Sequence, residues 1–437
     1  MSRTLPSARW TSFANWDYNH LHERLHYILG VIDKPALIRH AESIKGQKFT
    51  MSEPFSAGQN WICFEMVGQE DGSLIIARVR LPRHPDYPFP ISDAEKQYAL
   101  ECEVNTMRYV RCRLPGIPLP EVYAYEGPAS PLAANVGAMY MLIQGFYGNT
   151  LFDMYPDIRD LPNSTQKHII RQWTSVQALL ATLTDPKIGS VVSFTELGDP
   201  VIGELANAAA EGLSPRGPFV NAHDYFSAVA KAAFLRVSRV ASEGDDGPEL
   251  HFQRLGAYIF KEIVQTTRLF RPSMAQYCFV HRNLTMHNIL VDEDFNFVAI
   301  IDWEGAQTVP WQANHYPHPI ELYLPDKVDR ILRDRYHEMH AVEHRTAITR
   351  QIYIDTLLQA ETLFTTQDRE FRGTFSETLS SVASRVYSTF AGLNGFLAND
   401  KPLVYLMVQI AFNMDVEQVR EYIHQKELEM EFEAFTV

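Results

Sequence analysis

The stretch HRNLTMHNILVDEDFNFVAIIDWEGA, from His281 to Ala306, contains two short runs of β-forming residues around a polar turn. The runs NILVD and FVAIID flank the turn EDFN, a pattern that predicts a β-hairpin. Such a hairpin would bring Asn288 and Asp302 to the same end of two paired strands. Amide and carboxylate oxygens are the hard ligands that Mg²⁺ takes beside phosphate oxygens. The stretch therefore predicts a metal site at one end of a hairpin.

The region upstream, about residues 49 to 147, predicts an antiparallel sheet with a single helix. The runs WICFEMV and SLIIARVRL flank the turn signal Asp71-Gly72 and predict a second hairpin. The segment DAEKQYALECEVNTMRYVRCR has helical spacing of its apolar residues, and the segments GIPLPEVYAYEG and GAMYMLIQGFYG predict two further strands. Sheet and helix in succession favour an α+β class.

The remaining chain is predicted to be mainly helical. A helix is expected from Asp17 to about Lys48, and helical patterns resume after Gly148 and again from about Pro319. The region Ser193–Pro248 has no clear periodicity, and it ends in the polar stretch SEGDDGPEL, which predicts an exposed loop.

The stretch from His281 to Ala306 resembles the catalytic loop and metal motif of the aminoglycoside phosphotransferase family, particularly its fungal small-molecule kinase-like members. The family pattern is H-x-D-L-x-x-x-N-I-L-V-D followed by I-I-D-W-E, and this chain departs from it only at Asn283. The resemblance implies a two-lobed, protein-kinase-like α+β fold with ATP and Mg²⁺ as cofactors. Its N-terminal lobe, residues 1–147, would hold a nucleotide-covering hairpin and helix. Its helical C-terminal lobe, residues 148–437, would hold the catalytic loop, the metal motif and a substrate-binding insertion.

The resemblance also implies roles for individual residues in nucleotide binding. Arg78 stands where a cation pairs with the ATP phosphates, and Glu103 on the following helix would orient that cation. Gly58 is the single glycine of the covering turn FSAGQNW, so no G-x-G-x-x-G clamp exists there. Gln144 and Phe146 lie in the segment that would hold adenine.

The resemblance places the chemistry around Asn283, with Asn288 and Asp302 as Mg²⁺ ligands and His281 and Arg282 directly before the base position. The family carries an aspartate where this chain has Asn283. An amide keeps the size of the carboxylate but loses the proton acceptor, and general-base assistance is worth roughly 10²–10⁴ in rate.

Three interpretations of Asn283 remain open. The first is a small-molecule kinase whose base has been replaced. The second is a natural pseudokinase that binds nucleotide or another ligand as a scaffold. The third is a kinase fold repurposed for chemistry other than phosphoryl transfer, with Asn283 as a hydrogen-bond donor.

Composition restricts the partners of the chain. The formal net charge of −14 over 437 residues argues against a nucleic-acid partner and favours a cationic or neutral small-molecule acceptor. The first residues lack a signal-peptide pattern, and the longest apolar run, LVYLMVQIAF, is too short to span a bilayer, so we expect a cytoplasmic protein without a membrane segment. Four cysteines without a C-x-x-C pair predict neither a disulfide framework nor a structural zinc site.

Overall fold

The computed structural model describes most of the chain. The described residues are 5–9, 21–84, 89–242, 248–271, 276–317, 320, 325–366, 375–393 and 400–434. The chain divides into two compact units. Unit 1 comprises Met1–Pro156, Val191–Pro200 and Asn283–Gly305, and unit 2 comprises Asp157–Ser190, Val201–Arg282 and Ala306–Val437.

The strands are short and distributed over both units. In chain order they are β1 Phe49–Met51, β2 Ser56–Ala57, β3 Trp61–Gly68, β4 Leu74–Arg80, β5 Val122–Glu126, β6 Tyr140–Gln144, β7 Asn149–Thr150, β8 Thr184–Asp185, β9 Ser190–Phe194, β10 Pro200–Gly203, β11 Tyr277–Val280, β12 Ile289–Val291, β13 Phe297–Ile300 and β14 Gln307–Val309.

The helices account for most of unit 2. In chain order they are α1 Leu21–Val31, α2 Lys34–Lys45, α3 Asp93–Arg113, α4 Pro131–Val136, α5 Leu151–Met154, α6 Asn163–Ala181, α7 Ala208–Glu211, α8 Ala222–Ser242, α9 Pro248–Thr266, α10 Pro325–Arg333, α11 His340–Thr366, α12 Phe375–Leu379, α13 Val382–Ala391, α14 Asp400–Phe412 and α15 Val416–Ala434. Antiparallel sheets together with these helices confirm the predicted α+β class.

Unit 1 is built around an antiparallel sheet with the strand order β1-β3-β4-β6-β5, in which β2 also pairs with β3. Ile62, Phe64 and Met66 of β3 point to one face, where they join a core that includes Leu25 of α1 and Leu37 of α2. Because side chains alternate along a strand, the other face receives the intervening residues of β3 and β4. The register Trp61↔Arg80 and Cys63↔Arg78 places these four residues together on that second face.

Helix α3 begins and ends where its sequence predicts. Ser92 caps the first turn by accepting a hydrogen bond from the Glu95 N–H, and the Glu95 carboxylate accepts one from the Ser92 N–H, which forms a capping box. The helix ends at Arg113, two residues before Pro115, which cannot continue a helix. This helix supplies Glu103 to the second face of the sheet.

The hairpin predicted from the opening stretch is present in unit 1. β12 and β13 are antiparallel, with Ile289 opposite Ile300, and β7 pairs with the other edge of β12. The N–H of Ile301 donates to the Asn288 carbonyl at 2.9 Å. Asn288 and Asp302 therefore lie at the same end of the hairpin, as the sequence predicted.

Unit 2 combines a three-stranded antiparallel sheet of order β14-β11-β8 with packed helices. α6 packs on α11, α8 packs on α9, and α14 packs on both α9 and α13. Thr308 of β14 donates its hydroxyl to the Lys187 carbonyl at 2.8 Å and so ties this sheet to the segment that follows β8.

Three predictions about secondary structure were wrong. The helix expected from Asp17 to Lys48 is two helices, since Asp33 caps α2 and Pro35 occupies its first turn; residues 17–20 lie outside the described residues. The short helix α4 between β5 and β6 adds a second helix to the region where one was expected. The predicted loop SEGDDGPEL includes Ser242, the last residue of α8, and residues 248–250, the first residues of α9; the region Ser193–Pro248, which showed no clear periodicity, contains the 21-residue helix α8. Residues 243–247 of the predicted loop lie outside the described residues.

Within the described residues, no helix is both long and apolar enough to cross a membrane. The predicted lobe boundary at residues 147 and 148 stays a prediction.

Candidate functional site

Arg78 is the centre of the candidate site in unit 1. It projects from β4 and its side chain is 8% exposed. Its Nη1 donates to Glu103 Oε1 at 2.5 Å, and its Nη2 donates to Asp302 Oδ1 at 3.0 Å. The structure thus joins three residues for which the resemblance implies separate roles: the phosphate-pairing cation, its orienting carboxylate and a metal ligand.

The electrostatics of this group reflect burial opposed by charge pairing. Burial raises the pKa of Glu103, while the Arg78 guanidinium lowers it and the Glu304 and Asp302 carboxylates raise it further. Burial alone would lower the pKa of Arg78, but Glu103 and Asp302 raise it above the ordinary value for arginine. Arg78 is therefore a permanent cation, and its charge opposes the rise that burial causes in the pKa of Glu103.

Asp302 follows β13 and has a backbone φ of +62°, in the left-handed region. Aspartate tolerates this region better than most residues with a side chain, and such conformations cluster at functional sites. The side chain of Asp302 is 35% exposed, so that solvent and ligands can reach it. Trp303, the next residue, is buried and donates its Nε1–H to the Ile300 carbonyl at 2.9 Å, so its indole packs inside the motif.

Asn288 is connected to the predicted base position through the backbone. Its Nδ2 donates to the carbonyl of Asn283 at 2.9 Å. Because the amide nitrogen is used in this way, the Oδ1 of Asn288 is the atom available for a cation. Asn283 itself is exposed and belongs to unit 1 together with Asn288 and Asp302.

Glu304 is a site residue whose role the sequence reasoning missed. Its carboxylate accepts hydrogen bonds from Trp61 Nε1 at 2.9 Å, Arg80 Nη1 at 3.0 Å and Asn60 Nδ2 at 3.5 Å. Burial alone would raise the pKa of Glu304, but the Arg80 cation and the Trp61 indole N–H hold it below the ordinary value. Glu304 lies inside the matched I-I-D-W-E motif, and this position could have marked it as a site residue. Its hydrogen-bond partners, however, are more than 220 residues away in the chain.

The turn that contains Gly58 is anchored on both sides. The N–H of Gly58 donates to the Trp61 carbonyl at 2.9 Å. Arg24 of α1 donates to the Gln59 carbonyl and, through Nε, to the Pro82 carbonyl at 3.0 Å. The turn is therefore held at Gln59 by Arg24 of α1 and at Trp61 by the Glu304 carboxylate. A Cβ at Gly58 would meet no atom within 4 Å, so packing does not require glycine there.

Cys63 lies on the same face of the sheet, directly opposite Arg78. Burial raises the pKa of Cys63 to about 11, and the Asp302 carboxylate adds to this rise while Arg78 opposes it. The thiol is therefore neutral at physiological pH and is a weak nucleophile.

The segment predicted to hold adenine has much of its backbone already hydrogen-bonded. The Gln144 N–H donates to the Glu121 carbonyl at 2.8 Å, and the Gly145 N–H donates to the Leu74 carbonyl at 2.8 Å. The Gln144 side chain accepts from the Glu121 N–H at 3.3 Å. Phe146 follows and is half-buried. The amide groups of Gln144 and Gly145 are thus used within the protein.

His281 and Arg282 belong to unit 2. His281 directly follows β11 and is buried. Arg282 Nη1 lies 2.7 Å from Glu211 Oε1, and both side chains are about one-third exposed. The negative charge of Glu211 raises the pKa of Arg282 above its ordinary value. Arg282 is therefore committed to an ion pair within unit 2.

Comparison with known proteins gives weak likenesses. No protein-family profile and no curated protein matches the sequence. Among solved structures, a macrolide 2'-phosphotransferase type I is 12% identical, with 87% of this chain and 98% of that chain covered and a TM-score of 0.40. A Plasmodium vivax ethanolamine kinase is 10% identical, with 78% and 82% covered and a TM-score of 0.38.

A third solved structure is a spectinomycin phosphotransferase in complex with ADP and spectinomycin. It is 11% identical, with 91% of this chain and 99% of that chain covered and a TM-score of 0.38. At these identities and TM-scores, the likenesses establish neither an activity nor a ligand for this chain.

Proposed function

We propose that this protein binds Mg-ATP in unit 1 and that its site is that of a small-molecule phosphotransferase. The observation that carries the proposal is the position of Arg78 between Glu103 and Asp302, with Asn288 at the same end of the hairpin as Asp302. Phosphoryl transfer depends on such positioning and charge stabilisation more than on covalent chemistry by the protein.

Each side chain of this arrangement suits one part of a metal-bound nucleotide. Arg78 would pair with phosphate oxygens, for which a planar guanidinium is well shaped, and Glu103 would hold it in place. The turn that contains Gly58 would cover the phosphates, and Asn283 would face the acceptor hydroxyl.

The donor set of the hairpin end fits Mg²⁺. Asn288 and Asp302 offer an amide and a carboxylate oxygen, and Mg²⁺ sites beside nucleotides commonly take one or two such ligands and complete the shell with phosphates and water. The linked ionisable groups are Arg78, Arg80, Glu103, Asp302 and Glu304. When all are ionised they carry one excess negative charge, which favours a cation. A bound Mg²⁺ would neutralise charge on the transferred phosphate.

The binding part of the proposal is tested by thermal-shift titration of the full chain with ATP and Mg²⁺. A ligand that binds only the folded state raises its melting temperature with ligand concentration. We expect a shift for the wild type and for Asp294→Ala, whose residue is exposed in the turn of the same hairpin, and a much smaller shift for Asp302→Ala. Absence of a shift with millimolar Mg-ATP would contradict the proposal.

A second function, that of a pseudokinase which binds nucleotide without turnover, is favoured by Asn283 itself. The amide cannot accept the acceptor proton. Both functions share the nucleotide site, so they are distinguished by turnover and not by binding.

The acceptor would be a small molecule, cationic or neutral in keeping with the net charge of −14. The resemblance to fungal members and a cytoplasmic location are predictions that rest on the sequence alone.

A further inference from the structure

Two histidines on the outer side of α1 face each other in unit 1. The Nε2 atoms of His22 and His26 lie 3.2 Å apart, and the ring planes meet at 80° with centroids 4.3 Å apart. Residues four apart on a helix are neighbours on one face, so both rings stand on the same side of α1. The arrangement brings two ring nitrogens close together at the surface.

The nitrogen separation suits a shared metal ion. Zinc binds histidine nitrogen at about 2.0–2.1 Å. Two nitrogens 3.2 Å apart would therefore subtend an angle of about 100° at the metal, close to the tetrahedral value of about 109°. The distance is also compatible with one hydrogen bond between the two imidazoles, which is the competing explanation.

The residues His22, Glu23 and His26 also form the spacing H-E-x-x-H on a helix, which in some proteins supplies two zinc ligands and a general base. A hydrolytic zinc centre of that kind needs a third protein ligand. Among the described residues, no group of three or more histidine, cysteine, aspartate or glutamate side chains converges on one point. The described residues thus offer two metal ligands at this place on α1.

The helix that carries the two histidines is held rigidly. Leu21, Leu25 and Ile28 are buried in the core of unit 1. Arg24, between the two histidines, is buried and donates through Nη2 to the Pro82 carbonyl at 2.7 Å. A rigid helix lowers the entropic cost of bringing two ligands onto one ion.

A second pair of histidines at the same spacing provides an internal contrast. His340 and His344 of α11 have nearly parallel rings, with an interplanar angle of 18° and centroids 5.9 Å apart. Stacked rings at this separation do not direct two nitrogens at one point. Sequence spacing alone therefore does not distinguish the two pairs, whereas ring geometry does.

We propose that His22 and His26 form a two-ligand surface site for a borderline transition-metal dication such as Zn²⁺ or Cu²⁺, with water in the remaining positions. Imidazole nitrogen prefers these ions, whereas Mg²⁺ prefers oxygen. The site is chemically distinct from Asn288 and Asp302, and it does not depend on the proposed phosphotransferase function.

The test is calorimetric titration of Zn²⁺ into the metal-free full chain in the presence of excess Mg²⁺. We expect the tightest site to weaken about tenfold or more in His22→Gln and in His26→Gln. The control His340→Gln should bind like the wild type. Melting temperatures measured without metal will show whether each variant is folded.

Electron paramagnetic resonance of the Cu²⁺-loaded protein gives a second measurement. The wild type should show coupling to two equatorial imidazole nitrogens, and each single variant should show coupling to one. Unchanged Zn²⁺ affinity in both folded variants would overturn the proposal and leave only a hydrogen bond between the imidazoles. Coupling to two nitrogens that persists in a protein with both His22→Gln and His26→Gln would also overturn the proposal.

Discussion

Arg78 Nη2 lies 3.0 Å from Asp302 Oδ1, so the predicted phosphate-binding cation is bonded to a predicted metal ligand. The two residues are 224 positions apart in the chain. In this arrangement Arg78 is shared between Asp302 and Glu103. A metal ion that takes Asp302 and a phosphate that takes Arg78 would replace one ion pair with two. A phosphate without the metal ion would leave Asp302 without its Arg78 partner, whereas a metal ion alone would leave Arg78 paired with Glu103.

The first prediction is that Mg²⁺ and ATP bind cooperatively. Mg²⁺ should raise the affinity for ATP by about 5-fold to 150-fold, the range of typical coupling between sites. Calorimetric titration of ATP with Mg²⁺ and with EDTA measures the factor. Asp302→Asn should reduce it towards one, and Asp294→Asn should preserve it. If the wild type binds ATP equally tightly with and without Mg²⁺, the idea that Arg78 and Asp302 exchange each other for phosphate and Mg²⁺ is refuted.

The second prediction is that Asn283→Asp creates or restores phosphoryl transfer. The new carboxylate can accept the acceptor proton, and this assistance is worth roughly 10²–10⁴ in rate. ATP hydrolysis is measured first, and alcohols and amino alcohols are then screened with labelled ATP.

The control for this experiment is Asp302→Ala in the Asn283→Asp background, which should remove the gain. Equal inactivity of both forms across a wide screen would favour the scaffold. A substrate that is transformed only by the protein with Asn283 would favour the repurposed enzyme.

The third prediction concerns the buried pair of Arg78 and Glu103. Glu103→Gln keeps the shape of the side chain but removes the charge that offsets Arg78. Breaking a buried ion pair by removing one partner costs about 3–5 kcal/mol, and Asp302 keeps the expected loss near the lower limit. Urea denaturation measures the free energy of unfolding. Glu101→Gln, half-buried on the same helix, should cost less than about 1 kcal/mol. A similar small loss for Glu103→Gln would show that Arg78 does not need its partner.

The fourth prediction concerns the pH dependence of stability through Glu304. The pKa of Glu304 is lower in the folded protein than its ordinary value. A lowered carboxyl pKa contributes stability above the unfolded pKa of about 4.3, and this contribution is lost as the pH falls through the folded value. The difference in melting temperature between wild type and Glu304→Gln should be largest near pH 7 and shrink in acid. Glu293→Gln, exposed in a turn, should follow the wild type; a constant difference for Glu304→Gln at all pH values would contradict the assignment.

The local structure of the site could be predicted because it is encoded locally. The hairpin of β3 and β4, helix α3 and the hairpin of β12 and β13 are each specified by alternation, turn residues and capping within a short window. The convergence of Asn288 and Asp302 followed from strand pairing alone.

Other features could not be read from the sequence, because they depend on distant contacts. Glu304 is held by Trp61 and Arg80, and no local pattern links those residues. Helix α8 was missed because its many alanines obscure the apolar periodicity. The facing rings of His22 and His26 were likewise invisible, since the same spacing in His340 and His344 gives stacked rings.

The turn that contains Gly58 is fastened by Arg24 on one side and by Glu304 on the other. A mobile glycine-rich flap loses conformational freedom each time it closes, and that ordering reduces the net binding energy. A turn already fixed by its neighbours has little freedom left to lose. For a nucleotide, this turn would be a preformed and rigid part of the binding surface. Selectivity among nucleotides would then arise from shape complementarity to the turn and not from its closure around the ligand.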